Sequence, residues 1–170
     1  FMHYAVPPRR LAVGKVVLAP LIAGYRIGLV SGNVVRACLV GFGFRGVSQA
    51  DVDRAGLAFA STVVPEALRA LAMERMRWHQ ARGDKVVVVS GSLDAYLSPW
   101  CSQHGIELLC SELESDGARL TGRYRGAQCV GIEKVRRVRE RYDLDAFGTL
   151  YAYGNTHEDE DTIGIADCIY

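Results

Sequence analysis

The chain has 170 residues, 49% hydrophobic and 23% charged, with 20 Lys plus Arg against 19 Asp plus Glu and a net charge of +1. This is globular composition, neither disordered nor fibrous, and the near-balance removes any bulk electrostatic case for nucleic-acid binding. The length suits one domain, or a core with one sizeable insert.

Residues 8–80 read as helices. Pro7-Pro8 opens one in which Leu11, Lys15, Leu18, Ile22 and Arg26 recur at helical spacing, and Val34, Ala37, Cys38 and Gly41 continue an apolar stripe. The most membrane-like stretch is 16–40. Arg26 and Arg36 interrupt it, and its longest uncharged run, 16–25, is ten residues, whereas a spanning helix needs about 20 apolar ones. No membrane span is therefore expected. The stretch predicts a buried or amphipathic helix, with an interfacial helix making contact with a membrane surface as the alternative. Ser48, with Asp51 three residues on, can cap the next helix. Pro65 opens a further one over 66–80, with Leu68, Leu71, Ala72, Arg75 and Met76 on one face and Trp78 on another; its Met and aromatic residues read as core.

From Gly83 the pattern changes to strand then helix. Lys85-Val86-Val87-Val88-Val89 is a continuous β-branched run, as in a strand buried on both faces of a parallel sheet. A helix follows over 93–104, closed by Gly105, and Pro99 inside it predicts a kink or a restart. A second strand covers 106–110. Asp116-Gly117 between alternating segments marks a hairpin. A charged, periodic helix covers 132–142 with Val135 and Val138 inward, and a third central strand covers 149–153. A short helix at 161–167 and a last strand beginning at 169 complete the chain. The order predicts an α/β fold: a Rossmann-like, doubly wound, mostly parallel sheet, with residues 1–80 as a helical region and 81–170 as the α/β core.

In such sheets active sites lie at the carboxyl ends of the strands. After Val89 come Ser90-Gly91-Ser92, where hydroxyl, glycine and an approaching helix N-terminus suit an anion, phosphate especially; the other reading is an ordinary turn with Ser92 as N-cap. After Tyr153 come Gly154-Asn155-Thr156-His157-Glu158-Asp159-Glu160-Asp161. Oxygen ligands packed in one loop suit a hard cation such as Mg²⁺, or else form a solvated acidic loop at a helix N-terminus. Lys134 opens a helix where the macrodipole gives a cation nothing, so either a phosphate or carboxylate partner or a solvated basic face with Arg136, Arg137, Arg139 and Arg141 explains it.

The five cysteines, Cys38, Cys101, Cys110, Cys129 and Cys168, include no Cys-x-x-Cys pair. They indicate neither a disulfide framework nor a zinc site, and suit a reducing compartment. No secretory signal is visible at the start, so the expected location is cytoplasmic.

Taken in order, these features resemble the haloacid-dehalogenase-like (HAD) superfamily, and within it the phosphoserine-phosphatase-like branch. Residues 86–92 look like the second motif, a hydrophobic strand ending in Ser. Cys129-Val130-Gly131-Ile132-Glu133-Lys134 looks like the third, and 152–159 like the fourth, usually Gly-Asp-x-x-x-Asp. That branch inserts a helical cap between its first and second motifs, which matches residues 8–80. The resemblance implies a Mg²⁺-dependent phosphomonoesterase working through an aspartyl-phosphate on a small phosphorylated substrate, phosphoserine or another small or lipid phosphate. Ser90 with Gly91 and Ser92 would bind the phosphoryl group. Lys134 would neutralise its charge, and Asp159 would support Lys134 and hold the metal's water shell. Asn155 stands where the family places a metal-ligating Asp, which predicts weakened metal affinity or recruitment of Glu158 or Asp159 in compensation.

The family's first motif, Asp-x-Asp-x-Thr/Val, supplies the nucleophile and the general acid/base, and no Asp precedes Asp51 here. The expectation is that this motif and its strand lie upstream of Phe1, truncation being simpler than degeneracy because the sheet otherwise lacks a central strand. The alternative is a catalytically inactive phosphate-binding or interaction module. A third, weaker reading is a nucleotide-binding Rossmann protein, since Gly41, Gly43 and Gly46 follow no predicted strand and fall in a helical region.

Overall fold

The computed structural model describes residues 1–154 and 156–170. Its elements are α1 (Met2–Ala5), α2 (Pro8–Val17), α3 (Ala19–Arg26), α4 (Gly32–Phe44), α5 (Gln49–Thr62), α6 (Val64–Ala67), α7 (Ala70–Ala81), β1 (Val87–Leu93), α8 (Asp94–Gln103), β2 (Glu107–Ser111), β3 (Leu113–Ser115), β4 (Leu120–Tyr124), α9 (Ile132–Arg141), β5 (Tyr151–Ala152), α10 (Glu160–Ile163) and β6 (Cys168–Ile169).

Proline and local packing divide the helical region more finely than its periodicity suggests. The helix expected from Pro8 breaks at Leu18, because Pro20 has no N–H for the Val16 carbonyl and its ring would clash there. The helix expected over 66–80 becomes α6 and α7, separated by Leu68 in an extended conformation. On α7, Leu71 is exposed and His79 is the buried residue. His79 is held by Asp84 at 2.8 Å on Nδ1 and by the Tyr153 hydroxyl at 2.9 Å on Nε2. The 16–40 stretch is not buried as a whole either: Val16, Val17, Tyr25, Ile27, Leu29 and Val34 are exposed. No helix among the described residues is long and apolar enough to cross a membrane.

Two cores join the helices to the strands. Val6, Val40, Phe44 and Val52 pack with Leu113 and Leu120 of the β3–β4 hairpin. Ala60 of α5 packs with Trp100, Cys101 and Ile106. Helix α8 runs through Pro99 with no restart. Pro99 cannot donate to the Ala95 carbonyl, and α5 brings Gly56 onto that same carbonyl. A Cβ at position 56 would lie 1.9 Å from the Ala95 oxygen, so only a glycine Cα–H can sit there, as a weak C–H···O donor.

Among the described residues the strands form three separate two-stranded sheets: β1 with β2 parallel, β3 with β4 antiparallel, and β5 with β6 parallel. Gly117, at φ +97°, makes the hairpin turn. The valine run is half-exposed along its length rather than buried on both faces, because among the described residues β1 has a ladder partner on one edge only. The third strand is two residues long and pairs with β6 rather than lying centrally. The helix expected at 161–167 is α10, displaced to Glu160–Ile163. Cys101, Cys110 and Cys129 are buried, and burial pushes the Cys101 thiol up to about 11 and the Cys110 thiol up to about 12.

Candidate functional site

The carboxyl end of β1 meets the start of α9 and the loop after β5. Ser90 and Ser92 do not lie beyond the strand: β1 continues to Leu93 with a bulge between Ser90 and Leu93. The α8 N-cap is Leu93, with no side-chain cap, so the reading of Ser92 as N-cap is overturned. The Ser90 hydroxyl accepts the Ser92 N–H at 3.1 Å. Gly91 lies against the 129–130 segment, where a Cβ would come within 2.6 Å of Val130 Cγ1 and 3.4 Å of the Cys129 carbonyl oxygen. The same Cβ would be 4.0 Å from Glu158 Oε2, so the β1 bulge and the loop after β5 are neighbours.

Lys134 follows Gly131, the N-cap of α9, whose φ of +53° and ψ of −134° suit glycine. Its side chain is 6% exposed, and its ammonium donates to Asp159 Oδ1 at 2.5 Å. A buried lysine needs such a partner, so the carboxylate rather than a solvated basic face explains its position. The other oxygen, Asp159 Oδ2, accepts the Thr156 hydroxyl at 2.7 Å and the Thr156 N–H at 3.2 Å, a capping box on the 3-10 turn His157–Asp159. Gly154 gives Asp159 room to fold back, since a Cβ there would be 2.7 Å from Asp159 Cβ.

The four clustered carboxylates do not converge. Glu158 goes to Arg36 at 2.8 Å and Asp159 to Lys134. Glu160 goes to His157 at 3.6 Å. Asp161 turns to the start of α9, where its Oδ2 would be 3.3 Å from a Cβ on Gly131. Among the described residues no three His, Cys, Asp or Glu side chains are placed to hold a metal ion. Asn155 lies outside the described residues.

Sequence reasoning missed Arg36 as a site residue. Its guanidinium on α4 donates to Glu158, to Gln128 Oε1 at 2.9 Å and to Asn33 Oδ1 at 2.6 Å. It thereby ties the helical region to both site loops. The available signal was a lone cation inside an otherwise apolar helix. A cavity of about 1040 Å³ lies elsewhere, beside Tyr142, Phe147 and Asp167, and includes none of Ser90, Lys134 and Asp159.

Residues 41–161 match the model of the haloacid dehalogenase-like hydrolase family. Protein CicA of Caulobacter vibrioides is 32% identical over 169 residues, covering 98% of this chain and 75% of its own length. Among solved structures, a protein of unknown function from Bordetella pertussis superposes with a TM-score of 0.81 at 21% identity, over 93% of this chain and 73% of the other. A probable phosphoserine phosphatase from Vibrio cholerae gives 0.68 at 15% identity, over 94% and 48%. A HAD family hydrolase from Salmonella enterica serovar Typhi gives 0.66 at 16%, over 93% and 53%. The fold is therefore the Rossmann-like HAD fold, and the chain belongs to the haloacid dehalogenase-like hydrolases.

Proposed function

We propose that these residues form the phosphate-handling part of a cytoplasmic phosphomonoesterase of the phosphoserine-phosphatase-like kind, with residues 1–80 as its cap and 81–170 as its core. The observation that carries this reading is the buried Lys134–Asp159 pair, set beside the β1 bulge. An ammonium has three donors and Asp159 engages one, leaving donors for a phosphoryl oxygen. Ser90, with the Gly91 backbone and the Ser92 hydroxyl, offers further hydrogen bonds to the same group. This is electrostatic stabilisation of phosphoryl transfer by preorganised donors.

Mg²⁺ is the cofactor this reading calls for. The Lys134–Asp159 and Arg36–Glu158 pairs are each internally neutral, so a phosphate dianion meets little net positive charge. A divalent ion would supply it. The described residues do not complete an ion site, since Asp159 already serves Lys134 and Thr156. Asn155 and Asp159 are the residues we assign to the ion, Asp159 through its water shell.

The test is p-nitrophenyl phosphate hydrolysis by the full-length protein, with and without EDTA. EDTA-sensitive turnover that falls about 10²–10³-fold in Lys134→Met is expected. Phosphate binding without turnover would leave the inactive phosphate-binding module, and neither would end both readings. Isothermal titration of Mg²⁺ into the parent and Asn155→Asp tests the ion assignment: tighter binding by the variant is expected, and equal affinities would refute it.

A further inference from the structure

The first 50 residues hold six cations, Arg9, Arg10, Lys15, Arg26, Arg36 and Arg45, and no Asp or Glu, so the remaining 120 carry five more acidic than basic side chains. This charge polarity coincides with an apolar surface. Val16 is 76% exposed, Ile27 71% and Leu29 79%, and Val13, Val17, Tyr25 and Val34 are exposed too. They sit on α2, on α3, on the turn after it and on the first turn of α4, elements that pack against one another. Lys15 and Arg26 are exposed among them. Gly14 is the buried residue of α2, and α3 has none. Helices that pack only into a protein core turn such side chains inward.

We propose that this tip docks on an anionic lipid bilayer, its aliphatic and tyrosine side chains entering the headgroup boundary while Lys15 and Arg26 meet lipid phosphates. Exposed apolar residues interleaved with cations, with no acid among the first 50 residues, are the complement of such a surface. An apolar patch of this kind marks an interaction face, and its charge selects an anionic partner. The tip also borders the candidate site. A Cβ on Gly32 would lie 3.4 Å from an Arg36 guanidinium nitrogen and 3.5 Å from the Tyr25 ring, and Arg36 reaches Glu158. Docking therefore sets the site beside the headgroup layer. The corollary, a phosphomonoester carried on a lipid as substrate, rests on the phosphatase reading as well.

Sedimentation with vesicles of phosphatidylcholine alone, and of an equal mixture with phosphatidylglycerol, tests the docking. Binding to the mixed vesicles that weakens with added salt is expected. Each cation near the bilayer is worth about fivefold, so Lys15→Ala with Arg26→Ala should weaken binding roughly 25-fold. Val16→Ser with Leu29→Ser should weaken it at least about tenfold, with unchanged circular dichroism because both side chains stand in solvent. No binding, equal binding to both vesicle types, or variants that bind like the parent would overturn the proposal. So would light scattering that shows a dimer dissociated by the apolar pair, which would assign the face to a second copy. Sedimentation needs no turnover: vesicle binding without hydrolysis removes the phosphatase reading alone, and hydrolysis without vesicle binding removes the docking alone.

Discussion

Replacing Asp159 by Ala isolates the buried pair on which the site is built. The substitution strands the Lys134 ammonium, on a side chain 6% exposed, and breaking a buried pair from one side costs about 3–5 kcal/mol. It also removes the capping-box carboxylate from Thr156, about 1 kcal/mol more. The sum of about 4–6 kcal/mol corresponds to a melting point lower by about 10–20 °C for a chain of this length. Lys134→Met acts differently, because it removes the buried charge and keeps the stem. Asp159 then retains both Thr156 donors and 20% exposure of its side chain, so the cost falls to about 1–2 kcal/mol. The double variant should consequently be more stable than Asp159→Ala alone by about 2 kcal/mol or more. Urea and thermal denaturation of the four proteins, followed by circular dichroism, close the cycle. Two single costs of equal size that simply add in the double variant would show that Lys134 is solvated and would refute the argument.

Gly56→Ala drives a methyl to 1.9 Å from a backbone oxygen that has no freedom to move, and should cost about 3 kcal/mol, at the upper end for overpacking; a melting point within a degree or two of the parent would sink the α5–α8 contact. Gly131→Ala forces a side chain into a positive-φ conformation beside Asp161, with an expected cost of about 1–3 kcal/mol in denaturant titration and none if the α9 start is free to relax. Glu107 is held down to about 2, first by Lys85 and then by Tyr142, and Glu133 down to about 2, first by Arg136. Both folded values lie below the unfolded 4.5, so their contribution is present above that pH and is lost as pH falls through about 2. Acid titration by circular dichroism should show stability falling across that window, less so in high salt. Glu107→Gln with Glu133→Gln should flatten the fall, and an unchanged slope would discard both groups as its source.

What the sequence made legible was local. The valine run, the Asp116-Gly117 turn and the charged periodic helix each carry their instruction within a few residues, and each forms near its expected place. Pro20 was a local signal too, and it outweighs the helical spacing of Leu11, Leu18 and Ile22. The fate of the acidic loop could not be read from its own residues. Glu158 is claimed by Arg36, 122 positions earlier, and Asp159 by Lys134, 25 positions earlier; four adjacent carboxylates share a loop but find separate partners. His79 is a similar case, its burial being decided by Tyr153 across 74 positions. The family pattern anticipated that Asp159 pairs with Lys134, whereas composition alone left each with two readings.

The one-sided pairing of β1 has a consequence for isotope exchange. Glu107 donates its N–H to the Val86 carbonyl, and the direction of main-chain groups alternates along a strand. Val88 therefore turns its N–H and C=O toward β2, while Val87 and Val89 turn theirs toward the opposite edge. In deuterated water the amides of Val87 and Val89 should exchange quickly and that of Val88 slowly, a sawtooth within three neighbouring valines. Any strand that comes to lie along that edge would erase the sawtooth by slowing the two fast members. Three amide signals can thus report whether, and when, the sheet acquires a neighbour.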